Sequence, residues 1–240
     1  MRWLFNLLLL VATSSLYAQE AIPALQVKQI AEGVYQHISY QEVKGFGLVD
    51  ANGLIIVDDN NAYLIDTPWS ESVTEEIVDW IQAQGFELVA SLSTHSHEDR
   101  SAGIAWLNAR AIPTYASALT NAQLKAKGKA LATQTFSTEE MTLADGRIQV
   151  FYPGAGHSLD NIVVWVPESK ILFGGCLVKS LEAKNLGYTG EAVIESWPGS
   201  LARVMDKYPQ IQLVVPGHGA SGDQALLLHT KALAQSAARP

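Results

Sequence analysis

The sequence predicts an α/β protein in which helices cover one or more β-sheets, and three features support this fold class. Short apolar or β-branched runs, bounded by Gly, Asp, Asn or Pro, alternate with segments of helical periodicity. Most of these runs are continuously apolar, which favours strands that are buried on both faces. No repeat and no long linker divides the chain, and residues 19–240 are long enough for one large or two small domains.

Five segments are predicted to be helices and seven to be strands. In the first helix, apolar residues recur at helical spacing behind a pair with capping-box spacing; the residues are Val73, Ile77, Trp80 and Ile81, with Ser72 and Glu75 as the pair. The other predicted helices cover about 102–110, 116–128, 197–207 and 222–235. The predicted strands are 54–57, 62–65, 88–92, 148–152, 162–166, 171–173 and 213–215.

The N-terminal residues have the layout of a secretory signal peptide over residues 1–18. Arg2 is followed by an apolar run over 7–12 and by small residues up to Ala18. This run is much shorter than the roughly 20 apolar residues of a membrane-spanning helix. We therefore expect an exported, soluble mature chain without stable membrane insertion, and a monomer as the default. In an exported chain the single cysteine, Cys176, cannot form an internal disulfide.

The charge distribution bears on the kind of partner. The net charge of −8 is spread along the chain, and no basic cluster stands out. Proteins that bind nucleic acids need such clusters to neutralise phosphates. We therefore expect a small-molecule substrate and no nucleic acid partner.

The loop that follows the predicted strand 88–92 is rich in metal-binding side chains. His95, His97 and Asp99 occupy alternate positions there. Two histidines one residue apart in a turn can direct their imidazoles at one centre, and the carboxylate can serve a second centre beside it. Zinc accepts imidazole, carboxylate and thiolate ligands. Each residue alone could be a hydrogen-bonded loop residue or a helix cap, but the cluster predicts a metal site.

Three further loops carry a candidate ligand next to glycine, each at the end of a predicted strand. Glycine permits a close approach between the backbone and a neighbouring group. Cys176 could instead be a small buried hydrophobe or form an intermolecular bridge, and His157 alone could equally be a polar loop residue. His37 and His229 lie away from strand ends, and no role is predicted for them. The three candidates are His157 after Gly156, Cys176 after Gly175, and His218 after Gly217.

These motifs resemble the metal-binding signatures of class B, zinc-dependent β-lactamases. The similarity covers nearly the whole chain after residue 18, including 65–69 and the pair Asp160 and Asn161. It implies a four-layer αβ/βα sandwich, with two sheets packed face to face, helices outside and the metals at one edge. It also implies the subclass with two different zinc sites per chain, the first formed by His95, His97 and His157 and the second by Asp99, Cys176 and His218.

Arg100 occupies a position at which many related metallo-hydrolases have a histidine. In the wider metallo-hydrolase superfamily, which includes thiolesterases, lactonases and nucleases, a second histidine typically follows the aspartate of the motif. Here that residue is Arg100, and Cys176 is the evident replacement ligand. This coupled departure favours a β-lactamase. Arg100 itself could balance charge in the site or form an ordinary ion pair.

The resemblance implies hydrolysis of the β-lactam amide bond by a metal-bound hydroxide. Zinc lowers the pKa of bound water toward about 7, which makes such a nucleophile available at neutral pH. The expected substrates are penicillins, cephalosporins and carbapenems, met in the periplasm of a Gram-negative bacterium, and the expected consequence is antibiotic resistance. Asp99 is expected to be catalytic as well as a zinc ligand.

Three side chains are expected to contact the substrate. Lys179 matches a lysine that pairs with the substrate carboxylate in many family members, so we expect it in binding and catalysis. Tyr188 stands where several members carry an amide, and its phenol can still donate a hydrogen bond. Phe46, in a segment that resembles a mobile hairpin, either covers the substrate or packs on its own sheet.

Asp66 either supports the histidine loop or caps the following helix.

Two other functions compete with this interpretation. A different hydrolase of the same fold could act on a thiolester, a lactone or a phosphodiester, but Cys176 argues against it. A periplasmic zinc-binding protein without turnover would use the same ligands. The presence of Lys179 beside a full ligand set makes that alternative less economical.

Overall fold

The computed structural model describes residues 21–238, which form two β-sheets with helices on both outer faces. The predicted signal peptide, residues 1–18, lies outside the described residues. Within residues 21–238, no helix combines the length and the apolar character that crossing a membrane requires. The first sheet has seven strands in chain order: β1 (Gln26–Ala31), β2 (Val34–Val43), β3 (Gly47–Asp58), β4 (Asn61–Ile65), β5 (Glu87–Leu92), β6 (Thr114–Ser117) and β7 (Gln134–Phe136).

The second sheet has five strands in the spatial order β12-β11-β10-β9-β8. Four of them are antiparallel neighbours, and β12 joins β11 in parallel. The strands are β8 (Glu140–Leu143), β9 (Ile148–Phe151), β10 (Val163–Val166), β11 (Ile171–Gly175) and β12 (Leu213–Pro216). The helices are α1 (Glu71–Ala83), α2 (Glu98–Ser101), α3 (Ile104–Ala109), α4 (Ala118–Ala126), α5 (Trp197–Lys207) and α6 (Ala225–Ala237), with one 3-10 turn at Ala144–Gly146.

Three hydrophobic clusters define the layers. Between the sheets, residues such as Leu54 of β3 pack against residues such as Phe173 of β11. A second cluster buries Trp197 of α5 under the second sheet, and a third buries Ile77 of α1 under the first. The predicted four-layer sandwich is therefore confirmed. All seven predicted strands overlap an observed strand, and all five predicted helices overlap an observed helix.

The start of α1 differs from the prediction. The N-cap is Ser70, whose Oγ accepts a hydrogen bond from the Val73 backbone N–H at 3.2 Å. The predicted capping box of Ser72 and Glu75 is therefore wrong, because both residues lie inside the helix. Sequence spacing alone does not show whether Ser70 or Ser72 is the N-cap. Both serines lie less than two helical turns before the first buried residues of α1.

His37 introduces a pH dependence into the stability of the fold. Its side chain is buried in β2, where Nε2 donates to the carbonyl of Asp66 at 3.0 Å. Burial lowers the pKa of His37 to about 4. The folded state therefore disfavours protonation of His37. The stability that depends on the neutral ring is fully present above pH 6.5 and is lost as the pH falls toward 4. We expect protonation of this histidine to lower the free energy of unfolding by about 3 kcal/mol across that window.

The variant His37→Gln tests this expectation, because the amide remains neutral at every pH. Denaturant unfolding of chelator-treated protein between pH 7 and pH 4 should show a flatter pH dependence for the variant than for the wild type. Parallel pH profiles for the two proteins would contradict the assignment.

Candidate metal centre

Four loops meet at one edge of the two sheets. The loop after β5 belongs to the first sheet, and the loops after β9, β11 and β12 belong to the second. Because the central core holds the sheets face to face, the ends of these strands approach one another. The six side chains that meet there are those singled out in the sequence: His95, His97, Asp99, His157, Cys176 and His218.

Three of these side chains form a group of imidazoles. Nδ1 of His97 lies 3.1 Å from Nε2 of His157, and the ring centroid of His95 lies 4.6 Å and 5.0 Å from theirs. Nε2 of His95 is buried and has no hydrogen-bond partner among residues 21–238. A buried lone pair without a donor is costly, so this group fits a metal ion that would accept it.

The other three side chains form a second group beside the first. Sγ of Cys176 lies 3.4 Å from Oδ2 of Asp99 and 3.2 Å from Nε2 of His218, and Oδ2 lies 3.3 Å from the same nitrogen. Nδ1 of His218 donates to the carbonyl of Asp50. Nε2 of His218 is therefore the ring nitrogen that faces the sulfur and the carboxylate. Thiolate, carboxylate and imidazole are together a donor set suited to zinc.

Burial and neighbouring charges set the protonation of these groups. Burial holds the pKa values of His95 and His157 well below the usual range, so both rings are neutral and able to coordinate. For Asp99, burial alone would raise the pKa, but Arg100 and His218 bring it well below its usual range. The carboxylate is therefore ionised at neutral pH.

Arg100 is fully buried behind the second group and balances its negative charge. Nη2 donates to the carbonyl of Gly217 at 2.7 Å and to Sγ of Cys176 at 3.2 Å, and it lies 2.9 Å from Oδ2 of Asp99. Nη1 lies 3.4 Å from Oδ2 of Asp66. Of the two roles considered for Arg100, the structure supports charge balance within the site.

Asp66 supports the histidine loop. Its carboxylate accepts hydrogen bonds from the backbone N–H of Thr94 at 2.6 Å and from the Thr94 hydroxyl at 2.8 Å. The alternative role as a helix cap is wrong, because Ser70 occupies that position. Burial raises the pKa of Asp66 to about 7, although Arg100 and the hydrogen bonds from Thr94 oppose the rise. On the other side of the loop, Asp160 accepts from the backbone N–H of Ser96 at 2.9 Å.

A cavity of about 690 Å³ opens onto both groups. Lys179 lines it and is only 8% exposed; its Nζ lies 5.6 Å from the ring centre of Trp197. The backbone N–H of Lys179 donates to the hydroxyl of Thr230 at 2.8 Å, which fixes the start of the side chain. Burial lowers the pKa of Lys179. This places a cationic side chain at the wall of the cavity.

Tyr188 and Phe46 also line the cavity and are about half exposed. The ring of Tyr188 meets that of His97 edge-on at 5.6 Å, and a Cβ added to Gly190 would lie 2.6 Å from the Tyr188 hydroxyl. Phe46 lies in the turn between β2 and β3, where its backbone N–H donates to the carbonyl of Val43. Its exposure favours the covering role over packing on its own sheet.

Two residues at the site were not predicted from the sequence. Glu191 lies 2.9 Å from Nε2 of His97, and Lys127 lies 2.7 Å from the same carboxylate oxygen. Neither belongs to a recognisable motif. Their contact depends on the fold, because 94 residues separate His97 from Glu191.

Two donor sets of this composition, side by side at the mouth of a cavity, define a zinc hydrolase with a two-metal centre. The comparisons with known proteins agree. Residues 47–218 match the family model described as the Metallo-beta-lactamase superfamily. A "Metallo-beta-lactamase type 2" from Pseudomonas aeruginosa is 45% identical over 230 residues, which cover 96% of this chain and 92% of that protein.

Solved structures lead to the same family. The structure of TMB-1 shares 55% sequence identity, covers 91% of this chain and 100% of its own, and has a TM-score of 0.89. The metallo-β-lactamase DIM-1, in a crystal exposed to ceftazidime, shares 52% identity over the same shares of both chains, with a TM-score of 0.90. This chain belongs to the metallo-β-lactamase superfamily, and its enzyme type within it is the zinc-dependent β-lactamase.

Proposed function

We propose that this chain hydrolyses the amide bond of penicillins, cephalosporins and carbapenems with two zinc ions, and that it confers resistance to these antibiotics. One observation carries the proposal above all: two complete donor sets adjoin a cavity that also contains the buried cation Lys179. In this assignment His95, His97 and His157 hold the first zinc, and Asp99, Cys176 and His218 hold the second.

The zinc ions, when bound, supply a nucleophile by lowering the pKa of coordinated water and polarise the reacting carbonyl. The protein prepares the site for them. The neutral rings of His95 and His157 keep their lone pairs available, and ionised Asp99 contributes a negative charge. Because the pKa of Asp99 is well below the usual range, its carboxylate would act at neutral pH as a ligand of the second zinc and not as a proton donor.

Lys179 and the aromatic walls bind the substrate in this proposal. The ammonium of Lys179 pairs with the carboxylate that β-lactams carry, which orients the lactam carbonyl toward the donor sets. Phe46 and Tyr188, about half exposed at the cavity, cover apolar substituents of the substrate.

The setting of the reaction belongs to the same proposal. Residues 1–18 direct export, and residues 19–240 form one domain that acts in the periplasm as a monomer. The layout of the first 18 residues supports export.

The proposal is tested by hydrolysis of a chromogenic cephalosporin and of a carbapenem with the purified mature protein. We expect turnover of both, its loss with a chelator and its recovery with zinc. Turnover of the cephalosporin alone would remove carbapenems from the substrate range. Absence of turnover in zinc-loaded protein would contradict the proposal and favour a thiolester or lactone substrate, or zinc binding alone.

Lys179→Ala is expected to raise KM by roughly 10- to 100-fold with a smaller change in kcat, because it removes a charged hydrogen bond to a part of the substrate remote from the reacting bond. Steady-state kinetics with a penicillin check this. Lys125→Ala is the matched control, since it removes the same charge from the exposed face of α4. A fall in kcat alone would reassign Lys179 to the chemical step.

A further inference from the structure

A series of contacts links His97 to two residues outside the donor sets, Glu191 and Lys127. Nε2 of His97 lies 2.9 Å from Oε2 of Glu191, in the loop between β11 and α5. The same oxygen lies 2.7 Å from Nζ of Lys127, at the C-terminal end of α4. Lys127 also lies 3.5 Å from the hydroxyl of Ser96, the residue before His97. Three segments of the chain thus converge on one imidazole.

The contact with Glu191 determines which nitrogen of His97 carries the proton. An ionised carboxylate only accepts hydrogen bonds, so Nε2 of His97 is the donor. The neutral ring then has its lone pair on Nδ1, the atom that faces Nε2 of His157 at 3.1 Å. The carboxylate therefore selects the tautomer that the three-histidine group needs.

Lys127 holds this carboxylate in place through a contact of 2.7 Å. The side chains of Lys127 and Glu191 are 27% and 35% exposed. An ion pair this open to solvent contributes little to overall stability, so its main effect is on the ring that it holds.

We propose that Glu191 and Lys127 are positioning residues for the three-histidine site: Glu191 fixes the tautomer and orientation of His97, and Lys127 holds Glu191. The inference rests on the proposed function, in which His97 is a metal ligand. It also ties the metal site to substrate binding, because Tyr188 lies three residues before Glu191 and contacts the His97 ring.

The test is a titration of metal-free protein with cobalt(II), in competition with a chelator of known affinity. Glu191→Ala should weaken binding at the three-histidine site by about 10- to 100-fold. The thiolate-to-cobalt absorption reports on Cys176, and its midpoint should remain that of the wild type. Glu191→Gln retains an oxygen that accepts a hydrogen bond from His97, so its affinity should fall between those of Glu191→Ala and the wild type.

Lys127→Met tests the second half of the proposal. It should weaken cobalt binding less than Glu191→Ala does, and it should have no further effect in the Glu191→Ala background, because Lys127 acts through Glu191. Lys129→Met is the matched control: this lysine pairs with Glu98 at 3.5 Å, so its loss should leave cobalt affinity unchanged. Thermal unfolding of each metal-free variant confirms that it is folded.

The outcomes separate this inference from the proposed function. Equal affinity of Glu191→Ala and wild type at the three-histidine site would overturn the inference and leave the proposed function standing. A fall of the same size in Lys129→Met would also overturn it, since the effect would then be one of general charge. A wild type that binds no cobalt through histidines would refute the proposed function and, with it, the inference.

Discussion

Cys176→Ser is expected to weaken binding of the second zinc ion and to lower the rate of β-lactam hydrolysis by about 100-fold or more. The sulfur lies within 3.4 Å of both Asp99 and His218, the two other members of its group. A serine hydroxyl is a harder ligand and is not ionised at neutral pH. Loss of a residue that merely supports a ligand costs about 10- to 100-fold, and loss of the ligand itself should cost at least as much.

Zinc content after dialysis and kcat/KM together check this expectation. His218→Ala is the companion variant, because it removes another member of the same group and should have a similar effect. Combining the two substitutions should cause little further loss, since residues that act as a unit are not additive. Two zinc ions per chain and wild-type turnover in Cys176→Ser would refute Cys176 as a ligand.

Arg100→Met is expected to lower the free energy of unfolding by about 3–5 kcal/mol. The guanidinium is fully buried between the carboxylates of Asp99 and Asp66, and it also contacts Cys176. Methionine fills much of the same volume but leaves the buried, ionised carboxylate of Asp99 without its cation. Removing one partner of a buried ion pair typically has a cost of this size.

Denaturant unfolding of chelator-treated protein measures the effect, and Arg147→Met is the matched control. Arg147 pairs with Asp58 at 2.8 Å and with Glu168 near the surface. Such an exposed pair should contribute at most about 1 kcal/mol. Similar losses in the two variants would show that Arg100 has no special role in charge balance.

The fold is predictable where strands are continuously apolar and less so where buried strands carry polar side chains. β10 and β11 are buried along their whole length, and both are predicted from their apolar runs. β2 is not predicted from the sequence, because its buried residues include the polar side chains of Gln36 and His37. Their polar groups are satisfied by distant partners, such as Asn52, which accepts from Gln36 at 2.7 Å. The local sequence around β2 does not indicate which distant residues will be those partners.

The candidate site shows the same division. The six proposed ligands are predictable because each lies in a motif at the end of a strand, and strand ends converge in a layered sandwich. Glu191 and Lys127 lie in no such motif and reach His97 only through the tertiary fold. Asp66 was ambiguous in sequence; its φ of 60° and its bonds to Thr94 resolve the ambiguity, since a helix cap would have an extended backbone.

The division of the six proposed ligands between the two sheets has a consequence for the lifetime of the protein. Three lie after β5 in the first sheet, and three follow strands of the second. Each metal ion therefore cross-links the two halves of a chain that has no disulfide, since its one cysteine is free. A ligand that binds only the folded state stabilises it by about 1.4 kcal/mol for each tenfold rise in free concentration above Kd. Scarcity of zinc would then reduce the amount of folded enzyme as well as its activity.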